Sequence, residues 1–318
     1  MPKWGVIKAH LLHRYRILLY WFESQLPPTC RKVRLIYLDQ NALIGLGLRA
    51  QKDPLLRERI YKRIGDGSLA IVLSPWHLVE TAQSTNINSA TRLAEFMDSL
   101  KPLWIHERRE LQKLDVQEDF YRFCKIEFQV TPRVTSKAAV IGALFGQGAL
   151  AKYEIPARDF VKQWIEHPEQ LGIMKKSFES NAESLLKLRE LATQGKLTEE
   201  VKKKAAERFF ELSMPKSTPT GLEIGAHTAA QYVAQASTSS IPTFAVEEAI
   251  SVNEWGKEAV GKVDRNTFVD KIHLISALPF VDEIVSTDPF FRAIYPAAQK
   301  CGHVKAALLG NEELMARL

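Results

Sequence analysis

Cysteine is scarce in this chain. Its three residues, Cys30, Cys124 and Cys301, stand far apart with no paired spacing. That excludes a disulfide framework and a zinc knuckle, and makes a reducing, cytoplasmic compartment the expectation. Long apolar runs are lacking too: the continuous stretch at residues 17–22 covers six positions, against roughly 20 for a bilayer span. No transmembrane segment is expected. A signal peptide would place its charges before the apolar core and small residues after it, whereas here the two are interleaved and Pro27-Pro28 follows. There is no internal repeat, no Walker loop, no G-x-S-x-G and no H-E-x-x-H motif, so phosphate-cradling loops, nucleophile elbows and zincin chemistry have no footing.

What is present is a globular composition, 46% hydrophobic and 25% charged over 318 residues, enough for one large domain or two ordinary ones. The net charge of +6 has an address. Residues 1–34 hold seven Lys and Arg and a single acid, Glu23, which leaves 36 basic and 36 acidic residues in the remainder. Within that arm Trp4, Ile7, Leu11, Tyr15, Leu18 and Phe22 recur at three-to-four spacing, one stripe of an amphipathic helix. The stripe is expected to pack on the body or on a second copy of the chain, with a nucleic-acid or membrane-surface contact as the alternative.

Residues 34–39 (Arg-Leu-Ile-Tyr-Leu-Asp) form an apolar strand ending at an acid, and Asp53-Pro54 is a capped helix start. Gly65-Asp-Gly67 stops that helix, residues 69–74 make a second apolar strand, and Pro75 opens another helix. Strand–helix alternation with apolar strands predicts a parallel sheet covered on both faces. From about residue 85 to 262 the rhythm gives way to helical patterns at 90–100, 107–128, 157–164, 178–192 and 198–212. It returns with a helix over 266–278, a strand over 281–286 and the cap Asp288-Pro289. The expected organisation is a basic arm (1–34), an α/β domain made of 35–85 and 262–318, and a mostly helical insertion (86–261).

Ligands of open parallel sheets sit at the carboxyl ends of the strands. Asp39 and Asp288 follow strands at that edge, Glu80 lies on the helix after the second strand, and Asp270 lies on the helix before the last, with His273 on the same face. Singly, these acids could be helix caps or solvated side chains. Together, four carboxylates from separate segments repel one another unless cations fill the space, and oxygen-only ligands suit Mg²⁺ or Mn²⁺.

The motifs in order resemble those of PIN domains. Leu38-Asp39-Gln40-Asn41-Ala42-Leu43-Ile44 is similar to their opening "LDTN-x-LI"; Ser74-Pro-Trp-His-Leu-Val-Glu80 resembles the second motif, Asp270-Lys-Ile-His273 the third, and Val285-Ser-Thr-Asp288 with Pro289-Phe290-Phe291 the fourth. The resemblance covers about a third of the chain. It implies a three-layer α/β/α domain with a central parallel sheet and a two-metal nuclease site acting on RNA. Asp39 would bridge the ions, Asp270 and Asp288 would complete the shell, Glu80 would adjust one ion and Asn41 would orient Asp39. Lys or Arg side chains of the insertion or the arm would hold the RNA backbone. Alternatives of other kinds are a catalytically silent RNA-binding or assembly module of the same fold, and a DNA-directed nuclease. A homo-oligomer formed through the arm or the insertion is also open.

Two departures stand out. Gln40 replaces the usual Thr or Ser, removing a hydroxyl beside the site, and 190 positions separate Glu80 from Asp270. His273 is expected to contact an acid, and His77 to be structural. Gly45-Leu-Gly47-Leu-Arg-Ala50 matches a dinucleotide fingerprint only formally, because its first glycine does not follow the strand directly; it reads as helix.

Overall fold

The computed structural model describes residues 33–144, 154–169, 194–196, 198–255 and 265–318. The basic arm, apart from its last two residues, and the helix expected over 178–192 lie outside them.

Strands β1 (Arg34–Leu38), β2 (Leu69–Leu73), β3 (Leu103–Ile105), β4 (Val134–Thr135), β5 (Glu283–Val285) and β6 (Ala307–Leu309) form one sheet in the order β4-β3-β2-β1-β5-β6. All pairs are parallel except β3 with β4. The three strands legible in the sequence are therefore neighbours, with Tyr37 opposite Val72 and Leu38 opposite Val285. Strand alternation sorts the core. Ile36, Leu38, Ile71 and Leu73 join one hydrophobic cluster, and Leu35, Tyr37 and Val72 join another. Both faces are covered, which is why β1 and β2 read as continuous apolar runs.

Thirteen helices are present among the described residues. Following β1 come α1 (Gln40–Lys52) and α2 (Pro54–Gly65); α3 (Pro75–Ala82) and α4 (Ile87–Ser99) follow β2; α5 (Arg108–Phe123) follows β3. Then come α6 (Lys137–Leu144), α7 (Ala157–Glu166), α8 (Glu199–Ser213), α9 (Ala226–Gln235), α10 (Pro242–Trp255), α11 (Arg265–Ala277), α12 (Pro289–Gln299) and α13 (Asn311–Arg317). The helix starts obey local chemistry. Asp53 accepts from the N–H groups of Leu55 and Leu56 with Pro54 at the first helical position, and α2 ends ahead of a turn in which Gly67 takes φ 79°. Gly45 and Gly47 lie inside α1, so the apparent dinucleotide fingerprint is helix.

Among the described residues the stretch 86–261 is mostly helical, with two short strands inside it. β3 and β4 fall in the stretch expected to be helical, yet they extend the sheet beyond β2. Leu103-Trp104-Ile105 is fully apolar but only three residues long, too short for a periodicity to declare itself. The helices α5, α8 and α9 do share a separate small core of Val116, Phe120, Phe210 and Tyr232. Among the described residues no helix is long and apolar enough to cross a membrane.

Candidate functional site

From β1 the chain builds outward to β2 and β3 on one side, and it later returns to add β5 and β6 on the other. The strand order thus reverses between β1 and β5. Loops leaving adjacent strands there go opposite ways, opening a crevice at the carboxyl ends, the usual ligand position of such sheets. Asp39 stands directly after β1, its N–H bonded to the Val285 carbonyl of β5 at 3.0 Å.

Asp39 is nearly fully buried, 4% exposed. Its Oδ1 accepts from the Ala42 N–H at 2.5 Å, capping α1, and its Oδ2 accepts from the Ser286 hydroxyl. Ser286 Oγ in turn accepts from the Asp288 N–H at 3.0 Å, and Asp288 Oδ1 caps α12 through the Phe290 N–H at 2.7 Å. Asp39 and Asp288 are thus both helix caps and members of one linked group. The two roles coexist because a cap engages one carboxylate oxygen and leaves other lone pairs free. A hydroxyl reaches Asp39 from the end of the neighbouring strand β5, through Ser286. Asn41, expected to orient Asp39, is exposed on α1, and the hydrogen bonds that hold the Asp39 carboxylate come from Ser286 and the Ala42 N–H.

Glu80 projects from α3, and its Oε2 is 3.1 Å from Nε2 of the buried His273 on α11. Behind this pair the Tyr37 hydroxyl lies between His273 Nδ1 and Ser74 Oγ, the latter at 3.1 Å. His273 thus faces Glu80 through Nε2 and the Tyr37 hydroxyl through Nδ1. His77 is structural, as its position suggested: Nδ1 accepts from the Ser74 N–H at 3.0 Å, so Nε2 carries the proton given to the Leu38 carbonyl at 2.7 Å. Burial, and then the neighbouring His273, lower its pKa to about 4, so it stays neutral. Ser74, His273 and Glu80 form a serine–histidine–acid chain, but Ser74 is 1% exposed and closed to any substrate.

Electrostatics ties the acids together. Burial raises Asp39, against the lowering bonds from Ser286 and Ala42; beyond these, His273 lowers it and Asp288 raises it. Asp270 on α11 is pushed up to about 7, first by burial, opposed by His273, and further by the charges of Asp288, Glu80 and Asp39. Mutual repulsion is therefore present, but loss of water outweighs it. Among the described residues no three His, Cys, Asp or Glu side chains are close enough together to hold a metal ion. The four carboxylates are gathered at charge–charge range and not as a closed coordination shell.

The four acids that motif order singles out are the ones that interact electrostatically here. Ser286, Tyr37 and the Glu80–His273 pair lay hidden, because each acts across long sequence separations; Ser286 did stand inside the fourth motif. A cavity of about 520 Å³ opens beside Glu80 between α1, α3 and α4. A larger one, about 800 Å³, lies between α5, α8, α9 and α10 and contains none of the four acids. Comparison of the chain with protein-family models, curated proteins and solved structures finds no match.

Proposed function

We propose that this chain is a metal-dependent nuclease of the PIN type that hydrolyses phosphodiester bonds in RNA. The observation that carries the reading is the meeting of Asp39, Glu80, Asp270 and Asp288, from four separate elements, at the reversal point of a parallel sheet, close enough for three of them to raise the fourth. A protein holding four acids in one crevice for structural reasons alone would bear that repulsion without return. A hard divalent cation would relieve it by drawing the side chains inward from charge–charge range, and the chemistry of the donor set suits Mg²⁺ or Mn²⁺: every donor is a carboxylate oxygen. Asp39 has a lone pair left on each oxygen after its two hydrogen bonds, and Asp288 has Oδ2 beyond its cap.

Such ions, when bound, activate a water for in-line attack and stabilise the departing oxygen. The residues of the chain supply the scaffold. Asp39, Asp270 and Asp288 would hold the ions; Ser286 and the Ala42 N–H fix how Asp39 faces the crevice; His273, backed by Tyr37, holds Glu80 at the rim. Positioning of this kind matters because small displacements of catalytic groups cost rate steeply. The three-layer PIN arrangement belongs to the same reading, supported by motif order and by a sheet with both faces covered.

The test is incubation of labelled single-stranded RNA and DNA of one sequence with Mn²⁺, Mg²⁺ or EDTA. Cleavage of RNA that EDTA abolishes is the expected result. Preferential cleavage of DNA would move the reading to a DNA nuclease. RNA binding without cleavage in either metal would leave the catalytically silent module.

A further inference from the structure

We infer that the cavity between α1, α3 and α4 is a base-binding subsite that seats an unpaired nucleotide flanking the scissile phosphate. The inference rests on the nuclease reading above. At about 520 Å³ the cavity falls in the size range of small-ligand sites. It is continuous with the acidic crevice, since Glu80 and Gln40, the neighbour of Asp39, both line it. Ile44, Leu48 and Phe96 give it an apolar wall, and Arg92 adds a cation. Ile44 and Leu48 are 37% and 54% exposed, large apolar side chains left open on an otherwise polar helix surface. The Phe96 ring is seated on Gly47, where a Cβ would come within 3.0 Å of it.

An apolar wall with carboxamides along its edge is the chemistry that takes a flat base with a hydrogen-bonding rim. Gln51 and Gln83 line the cavity too, and Gln40 is the telling residue. Its Nε2 donates to Thr81 Oγ1 at 3.0 Å, while its Oε1 is buried and has no partner. Turning the amide over exchanges the two atoms and leaves Nε2 unpaired instead. Either way a cavity-lining side chain keeps one polar atom buried with its hydrogen bond unmade, a costly arrangement that a swing of the amide into the cavity, against a base edge, would relieve. Double-stranded RNA presents its bases stacked and paired, so this subsite selects single-stranded substrate.

The experiment measures binding of two fluorescein-labelled RNA hexamers to the full chain in EDTA, by fluorescence anisotropy. One hexamer is complete, and the other lacks the bases at its two central positions. The ratio of their affinities cancels any repulsion of the phosphates by the empty acidic crevice. The complete strand is expected to bind about tenfold more tightly. Ser89→Trp, which fills the cavity from α4, and Gln40→Ala are expected to bring the ratio to within about twofold. Leu48→Arg, at an exposed wall position, obstructs the same space if Ser89→Trp does not fold. A parent ratio near one, no binding of either strand, or a ratio unchanged in folded variants would each overturn the subsite. Base-dependent binding without Mn²⁺-dependent cleavage would sink the nuclease reading and sustain the subsite. Cleavage without base dependence would do the reverse.

Discussion

Asp39 caps a helix and still keeps lone pairs open for a second role. As a cap it needs only an acceptor for the Ala42 N–H; as a proposed ligand it needs its charge. Asparagine separates the two. Asp39→Asn keeps an oxygen for Ala42 and can turn its Nδ2 toward Ser286 Oγ, which has lone pairs to accept. Metal-free Asp39→Asn protein is therefore expected to unfold in urea within about 0.5 kcal/mol of the parent, while Asp39→Ala loses about 1 kcal/mol or more. Cleavage is expected to vanish in both. Full activity in folded Asp39→Asn protein would remove Asp39 from the site. Asp270 makes a second test at the same scale. Its pKa rises from 3.8 to about 7 in the fold, so between those values the folded chain holds a proton that the unfolded chain has released. Stability must then fall as pH rises through this window, the contribution being present at low pH and gone above about 7. His77 and His106, both lowered from 6.5 to about 4 by burial, act with the opposite sign, since the unfolded chain binds their protons first. The parent curve mixes these slopes. The difference between Asp270→Asn and parent, measured in EDTA, isolates the carboxylate: the advantage of the variant should grow from pH 4 to pH 7 and then level off.

At the scale of elements, the legible parts were those with local signals. Asp53-Pro54, Ser74-Pro75 and Asp288-Pro289 each announce a helix, and the apolar strands β1 and β2 are unambiguous because both of their faces are buried. β3 and β6 are three residues each, and α9 is an alanine-rich segment without a broad apolar stripe, so pattern could not single them out. The candidate site divides the same way. Its acids follow strand ends and helix starts, which sequence displays, whereas Ser286 on Asp39 and His273 on Glu80 are pairings 247 and 193 positions apart. One element-scale device had no sequence signal at all. Arg133, beside β4, donates to Asp115 Oδ1 at 2.8 and 3.0 Å and to Glu118 Oε1 at 2.5 Å on α5, all three side chains being largely buried. Asp115 Oδ2 then accepts from the Thr243 N–H and hydroxyl at 3.2 and 2.8 Å, which ties α5 to the start of α10. Arg133→Ala would leave buried Asp115 without the guanidinium it pairs with, and Glu118 with only the exposed Arg122 as a cation. A loss of about 3–5 kcal/mol is expected, read as a lower urea midpoint; a loss below 1 kcal/mol would show that water replaces the guanidinium there.

At the scale of the whole molecule, the proposed ligands come from both ends of the described chain: Asp39 and Glu80 near its start, Asp270 and Asp288 near its close. In the unfolded chain the two pairs are some 190 positions apart and offer a cation no joint site. Binding therefore belongs almost wholly to the folded state, and mass action converts it into stability. At a free Mn²⁺ concentration one hundred times its Kd, the gain is about 2.7 kcal/mol. Relief of the charge on Asp270 is part of that gain, so the shift should be larger at pH 8, where the carboxylate is ionised in the metal-free chain, than at pH 5.5, where a proton already neutralises it. Thermal melts with and without Mn²⁺ at the two pH values check both statements. A rise in midpoint at pH 8, reduced at pH 5.5 and absent in Asp39→Asn, is the expected pattern. A melt indifferent to Mn²⁺ at both values would mean that the four acids do not bind the ion, and the nuclease reading would fall with it.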